Sequence, residues 1–176
     1  MSERLIKTEG CYVGIFDALS PVNGAGRFDR FMRRADRQAV EARQRWSALY
    51  RFNDQWIDAA ARGEILAWIV LFDGVFKTVA TILVPPPRIA PTMAQAREFL
   101  GGDYHPLVCP SGRIVVASLS DLGHRSLEPL VVVEPGTYHV ALTRHDDQED
   151  EHSFLTDPAQ YPPSDGPDWS IEVWLA

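Results

Sequence analysis

The strongest β-strand signal in the chain is the sequence ILAWIVLFDGVFKTVATILV, which occupies residues 65–84. Both halves of it are apolar and rich in β-branched and aromatic residues, which favour strands. Asp73 and Gly74 separate the two halves. Asp-Gly is a preferred pair in type I′ turns, because glycine adopts a positive φ at little cost. The sequence therefore predicts a β-hairpin that turns at residues 73 and 74.

Shorter apolar segments on both sides of this hairpin also have the composition of strands. Apolar residues alternate in the last two of them, at Tyr138, Val140 and Leu142 and again from Trp169 to Leu175. Alternation of this kind predicts one buried face for each strand. The predicted strands span residues 10–16, 65–72, 75–84, 107–108, 113–119, 129–133, 137–144 and 169–175. Together they predict an antiparallel sheet or a β-sandwich of about seven strands.

Three segments have the pattern of helices. Apolar residues recur every three or four positions between Arg27 and Tyr50, which predicts one long amphipathic helix. A short helix is expected from Asn53 to Arg62, with Gly63 in the left-handed position after it, and a second short helix at residues 92–100. The predicted fold class is therefore α+β. We expect a single domain over residues 1–176, with an N-terminal strand and helices to about residue 62 and a β-rich part from about residue 63.

Composition restricts the class of protein. Hydrophobic residues make up 45% of the chain and charged residues 23%, which is typical of a packed globular protein. No apolar segment reaches the roughly 18 residues of a membrane span, and the first residues do not have the pattern of a signal peptide. The two cysteines, Cys11 and Cys109, lie far apart in sequence. We therefore expect reduced thiols, a cytoplasmic protein and no membrane partner.

Charge is distributed unevenly along the chain. Eight arginines lie between Arg27 and Arg51, so the predicted long helix has a basic face. Residues after 120 are strongly acidic, and the formal net charge of the whole chain is −7. Because affinity for nucleic acid comes mainly from clustered lysine and arginine, nucleic acid is an unlikely partner for the whole molecule. A regulatory protein that binds nucleic acid through the basic helix remains an alternative.

The residues do not form a known catalytic, cofactor or metal motif. The histidines at 105, 124, 139, 145 and 152 are scattered and have no paired nucleophile. The segment that includes Asp146 and Glu151 is rich in carboxylates, but it lacks the spacing of a calcium loop. We therefore expect a protein that is not an enzyme and has no cofactor or metal. A small-ligand-binding protein or enzyme whose site is assembled from His105, His124 or His139 remains a second alternative.

Several segments together carry a resemblance to a known family. They are PLVCPSGRIVVAS at 106–118, LVVVEPGTYHV at 130–140 and IEVWL at 171–175, preceded by Trp56 to Ala61 and the apolar pair at 65–84. These segments resemble small bacterial β-rich inhibitor proteins in their order and in the Gly-x-Tyr sequence that begins a strand at Gly136. The competence nuclease inhibitor (competence protein J) and some bacterial toxin-immunity proteins are similar. The resemblance covers residues 53–176. It implies a protein without catalytic activity that blocks a cognate toxin or nuclease.

An acidic surface suits such an inhibitor, because the cleft of a nuclease is basic and carboxylates can replace the phosphates of its substrate. We expect the segment at 145–168 to be a mobile loop that closes a hairpin-like connection between the last two strands. Trp174 should be half exposed beside Glu172 and able to anchor a partner. The predicted partner is a basic toxin or nuclease. The predicted partner-binding residues are Asp146, Asp147, Glu149, Asp150, Glu151 and Trp174.

Overall fold

A computed structural model gives the structure of the chain. It describes residues 1–8, 12–23, 54, 56–70, 74–85, 87, 99–100, 105–122, 127–145 and 166–176. Within these ranges nine β-strands form two sheets. The strands are β1 (Ser2–Thr8), β2 (Tyr12–Asp17), β3 (Leu66–Ile69), β4 (Gly74–Ile82), β5 (Leu107–Cys109), β6 (Arg113–Ser118), β7 (Val131–Val132), β8 (Gly136–Arg144) and β9 (Trp169–Leu175).

Helical structure is a minor part of the described residues. Residues 56–61 form a short α-helix, which we call α1. Two 3₁₀ turns occur at Pro21–Asn23 and Leu119–Asp121. None of the helices in the described ranges is long and apolar enough to cross a membrane.

One sheet has five strands in the order β1-β4-β9-β8-β5, and the other has four in the order β3-β2-β6-β7. The pairs within both sheets are antiparallel, except that β4 and β9 run parallel. The five-stranded sheet is therefore mixed, whereas the sequence predicted an antiparallel one. β8 and β9 pair over seven residues, from Tyr138 opposite Leu175 to Arg144 opposite Trp169.

The two sheets pack against each other through apolar side chains. The four-stranded sheet contributes Val13, Ile15 and Trp68 among others, and the five-stranded sheet contributes Phe76, Val140 and Trp169. Trp68 meets Trp169 edge to face with ring centroids 5.2 Å apart, so this contact joins the sheets. Phe76 stacks on Trp169 with ring centroids 4.3 Å apart. Aromatic pairs in these geometries add to the free energy gained by burying the rings.

The four-stranded sheet is buried on its other face as well. A second apolar cluster includes Phe16, Val115 and Ala117 of that sheet, together with Trp56 and Ala59 of α1. Burial on both faces explains why β2 and β6 are almost continuously apolar instead of alternating.

The end of α1 is fixed by a Schellman motif. The N–H of Gly63 donates to the carbonyl of Ala60 at 2.8 Å, and the N–H of Glu64 donates to that of Ala59 at 3.0 Å. Gly63 has a φ of +69°, so the predicted left-handed glycine is confirmed.

The predicted hairpin at residues 65–84 is wrong. β3 pairs with β2 in the four-stranded sheet, whereas β4 pairs with β1 and β9 in the five-stranded sheet. The chain therefore passes from one layer of the sandwich to the other between the two strands. The buried residues of β3 indicate the reason: Leu66, Ala67 and Trp68 are consecutive and all buried, so both faces of this strand are covered. Alternation is absent over these three residues because both faces of the strand are covered there.

The predicted fold class is also wrong. The described residues form a two-layer β-structure with one short helix, not an α+β fold with a long amphipathic helix and two short ones. The predicted long helix at 27–50 and most of the predicted short helix at 92–100 lie outside the described residues. The sequence analysis also missed β1. Besides Thr8, four of its seven side chains are polar or charged, so the burial of Ile6 and Thr8 does not appear as an apolar alternation.

Candidate partner-binding site

The acidic segment of the sequence belongs to the connection between β8 and β9. Its five carboxylates, Asp146, Asp147, Glu149, Asp150 and Glu151, lie outside the described residues. The structure does place the two ends of the connection, at Arg144–His145 and at Gly166–Asp168. We call these two ends the loop base.

Backbone hydrogen bonds hold the loop base together. The N–H of His145 donates to the carbonyl of Asp168 at 2.8 Å, which continues the β8–β9 pairing by one step. The N–H of Asp168 in turn donates to the carbonyl of Lys77 in β4, also at 2.8 Å. The Asp168 carboxylate accepts the N–H of Lys77 at 2.6 Å. Asp168 therefore joins three adjacent strands at one end of the five-stranded sheet.

Two side-chain hydrogen bonds also hold the loop base. Nε2 of His145 lies 2.9 Å from Oγ of Ser170. The Arg144 guanidinium donates to the carbonyl of Ile69 at 3.2 Å, so it reaches from the five-stranded sheet to β3 of the other sheet. The ends of the acidic connection are thus attached to both layers of the sandwich.

A second polar cluster, which the sequence analysis missed, surrounds Asp17 at the end of β2. Asp17 is fully buried. Its Oδ1 accepts the N–H of Leu19 at 2.8 Å, and its Oδ2 accepts the N–H and the hydroxyl of Ser111 at 3.1 and 2.7 Å. The carboxylate therefore fixes the turn between β5 and β6 against β2. The available signal in the sequence was an aspartate at the end of an apolar segment, because such a side chain often accepts the backbone N–H two residues later.

Cys109 lies near this cluster, at the end of β5. It is fully buried and is not in a disulfide. Burial, and secondly the negative charge of Asp17, raise the pKa of its thiol to about 12. The thiolate is the nucleophilic form of cysteine, and it is scarce at neutral pH when the pKa is this high. The expected reduced strand-end thiol is confirmed at this position, and the geometry gives it a structural role.

Comparison with known proteins adds a fold likeness. No family model matches the chain, and no curated protein matches it. The chain is similar in structure to a protein described as "Crocagin biosynthetic gene J". The TM-score is 0.58 at 21% sequence identity, and the alignment covers 99% of this chain and 96% of that one. Because the identity is so low, the likeness concerns the fold alone.

Trp174 does not have the exposure that the sequence predicted. It lies on the face of β9 opposite Ile171 and Val173, as expected, but it is only 4% exposed. Ala141, which also faces this side of the five-stranded sheet, is 1% exposed. The alternation of a strand identifies the face on which a side chain lies, but it does not reveal whether that face is covered. The expectation of a half-exposed tryptophan is therefore wrong.

Two of the histidines considered as site residues lie in described parts of the chain. His139 is on β8 and its ring lies 5.7 Å from that of Trp174, where burial lowers the pKa of the imidazole. His105 precedes β5, and His124 lies outside the described residues. Across the ranges that the structure describes, three or more His, Cys, Asp or Glu side chains are nowhere grouped to hold a metal ion.

Proposed function

We propose that this chain is a non-enzymatic, cytoplasmic binding protein that holds a basic partner through the acidic segment between Asp146 and Glu151. The observation that supports it is the loop base. A segment with five carboxylates in six residues begins one residue after His145. His145 is hydrogen-bonded to Asp168, and Asp168 is hydrogen-bonded to Lys77 of β4. Fixed ends reduce the conformational entropy that the segment loses when it binds.

Electrostatics favours a basic partner. Five clustered carboxylates on a chain of net charge −7 attract a cationic surface and accelerate association with it. The cleft of a nuclease is such a surface, since it binds phosphates. An inhibitor or immunity protein that occupies this cleft is therefore our first candidate for the function.

The chemistry of the buried polar groups supports binding more than catalysis. The Cys109 thiol is buried with a pKa of about 12, and both oxygens of the Asp17 carboxylate accept hydrogen bonds from the protein itself. A catalytic base or nucleophile must be available to a substrate. These two groups are instead engaged in holding β2, β5 and β6 together.

The structural likeness suggests a second candidate. The neighbour is named for crocagin biosynthesis and the alignment covers nearly all of both chains, so as a second candidate we propose a role in a biosynthetic pathway. In that case the partner held by the acidic segment would be a biosynthetic enzyme or its substrate instead of a nuclease.

The experiment that tests the proposal is an affinity pull-down with two matched variants. In the first, Asp146, Asp147 and Asp150 become Asn and Glu149 and Glu151 become Gln. In the control, five exposed carboxylates elsewhere are neutralised in the same way, at Asp54, Asp58, Glu128, Glu134 and Glu172. Each variant therefore loses five negative charges.

We expect the wild type and the control to retain the same basic protein, identified by mass spectrometry, and the first variant to lose it. Inhibition of a retained nuclease would support the inhibitor role, and retention of a biosynthetic enzyme would support the second candidate. Equal retention by all three forms would contradict the proposal, because the acidic segment would then make no specific contribution.

A further inference from the structure

The two sheets have four edges, and three of them are short or blocked within the described residues. In the four-stranded sheet, β7 has only two residues, and the outer carbonyl of Ala67 in β3 accepts the N–H of Leu100 at 2.7 Å. In the five-stranded sheet, β5 has three residues, and the N–H of Val108 donates to the carbonyl of Gly63 at 2.9 Å. Such features prevent strands of other molecules from adding to an edge.

The fourth edge, β1, is different. It is seven residues long, it pairs with β4 along its full length, and no described strand lies on its other side. Glu3, Leu5 and Lys7 point to the outer face of the five-stranded sheet, because they alternate with the buried Ile6 and Thr8. Leu5, in the middle of this strand, is 66% exposed. A long edge with a solvated leucine at its centre can accept another strand.

The side chains of β1 are complementary to themselves. When two copies of the strand run antiparallel about a two-fold axis at Leu5, the two Leu5 side chains face each other across the axis. Glu3 of each copy then lies opposite Lys7 of the second copy, so two ion pairs form. Opposite charges and apolar pairs directly across two strands are stabilising, and like charges there are destabilising. A two-fold interface must have this self-complementarity.

Other two-fold registers fit less well. An axis at Arg4 places the two Arg4 side chains opposite each other, and an axis at Ile6 places Leu5 opposite Lys7. A register shifted by one residue would turn the outer side chains of one copy towards the core side of the other. The register centred on Leu5 is therefore the one that pairs both charges and the exposed leucine.

A lysine of the adjacent strand agrees with this register. Lys77 of β4 lies opposite Leu5 and 3.7 Å from the Glu3 carboxylate, so Glu3 would lie between two lysines in the pair of molecules.

We propose that β1 is a self-association site, through which two copies of this chain join their five-stranded sheets into one continuous sheet. The partner is a second copy in the antiparallel register centred on Leu5. One strand pair buries less area than the roughly 1,200–2,000 Å² of a stable interface. The dimer should therefore be weak, with a dissociation constant on the order of micromolar or above.

Charge-reversal variants test the proposal by analytical ultracentrifugation over a wide range of protein concentration. Glu3→Lys alone places Lys opposite Lys7, and Lys7→Glu alone places Glu opposite Glu3, so each single variant should dimerise about tenfold more weakly than the wild type, or worse. The double variant, with both changes, restores opposite charges and should dimerise like the wild type. A mixture of the two single variants should form heterodimers, because every pair is then complementary.

Circular dichroism and urea unfolding of each single variant verify that β1 still forms. A wild type that stays monomeric up to several hundred micromolar would overturn the proposal. It would also be overturned if both single variants dimerised as strongly as the wild type, or if the mixture of folded variants failed to associate. None of these results depends on the acidic segment, whose partner is tested separately above.

Discussion

Asp17 and Cys109 illustrate how single residues contribute to this fold. The carboxylate of Asp17 is fully buried, yet it accepts three hydrogen bonds, from Leu19 and Ser111. A buried charge without partners would cost several kcal/mol. With these partners it joins β2 to the turn between β5 and β6, and its negative charge helps to keep the nearby Cys109 thiol protonated.

Alkylation of Cys109 in the folded protein should therefore be slow and should increase steeply with pH. In a Cys11→Ser variant, with Cys109 as the remaining thiol, we expect iodoacetamide to react at pH 8 about a thousandfold more slowly than with the urea-unfolded protein. The raised pKa means that the thiolate fraction is small below pH 12. The rate, followed by mass spectrometry, should rise about tenfold per pH unit between pH 8 and pH 10.

A rate that levels off above about pH 9 would instead indicate that the thiol reacts through an unfolded form with an ordinary pKa. A folded protein that reacted as fast as the unfolded one would contradict the burial of this residue.

At the residue scale, the sequence predicted the local structure that a residue adopts, but it did not predict which distant residues contact it. It predicted a strand-end thiol at Cys109 and the left-handed glycine at position 63, because both depend on a few adjacent residues. It could not predict the partners of Asp17, since Ser111 lies 94 residues away in sequence. The exposure of Trp174 was wrong for a similar reason, because coverage of a sheet face is decided by distant segments.

At the scale of elements, the turn between β5 and β6 depends on one glycine. Gly112 has a φ of +65°, its N–H donates to the carbonyl of Cys109, and its carbonyl accepts the N–H of Val133. A Cβ at this position would lie 2.1 Å from the carbonyl oxygen of Val133. Both the conformation and the close approach of the two backbones therefore require glycine.

Replacing Gly112 by alanine should lower the free energy of unfolding by about 2 kcal/mol or more, because the strained φ and the backbone clash add. Urea unfolding followed by tryptophan fluorescence measures the loss. Gly166→Ala is the matched control, since a Cβ there would have no atom within 4 Å. Equal destabilisation by the two substitutions would show that the space around Gly112 is not restricted.

The sequence predicted individual strands better than their partners. β8 and β9 were expected beside each other and they are, because their alternation and the polar connection between them are local features. The hairpin at residues 65–84 was wrong, although its signal was stronger. An Asp-Gly turn favours a hairpin, but the burial of β3 on both faces and of β4 on one face separates the strands into two layers. β1 was missed because its charges conceal its alternation.

For the whole molecule, we predict that the sandwich folds without the acidic segment. Seven paired residues of β8 and β9, and the hydrogen bonds of His145 and Asp168, hold the loop base together. The composition of the acidic segment is the basis of the proposed binding role. The two-layer fold that holds the ends of this segment was not predicted from the sequence.

Replacement of residues 146–165 by a linker of six glycine and serine residues should leave the fold intact. A shorter flexible loop costs less entropy to close, and by (3/2)RT ln n the gain is about 1 kcal/mol in the free energy of unfolding. Urea unfolding and circular dichroism measure it, and the same variant should lose the basic partner in the pull-down. A large loss of stability would instead mean that the segment contributes to the core, in which case its carboxylates could not be assigned to a partner.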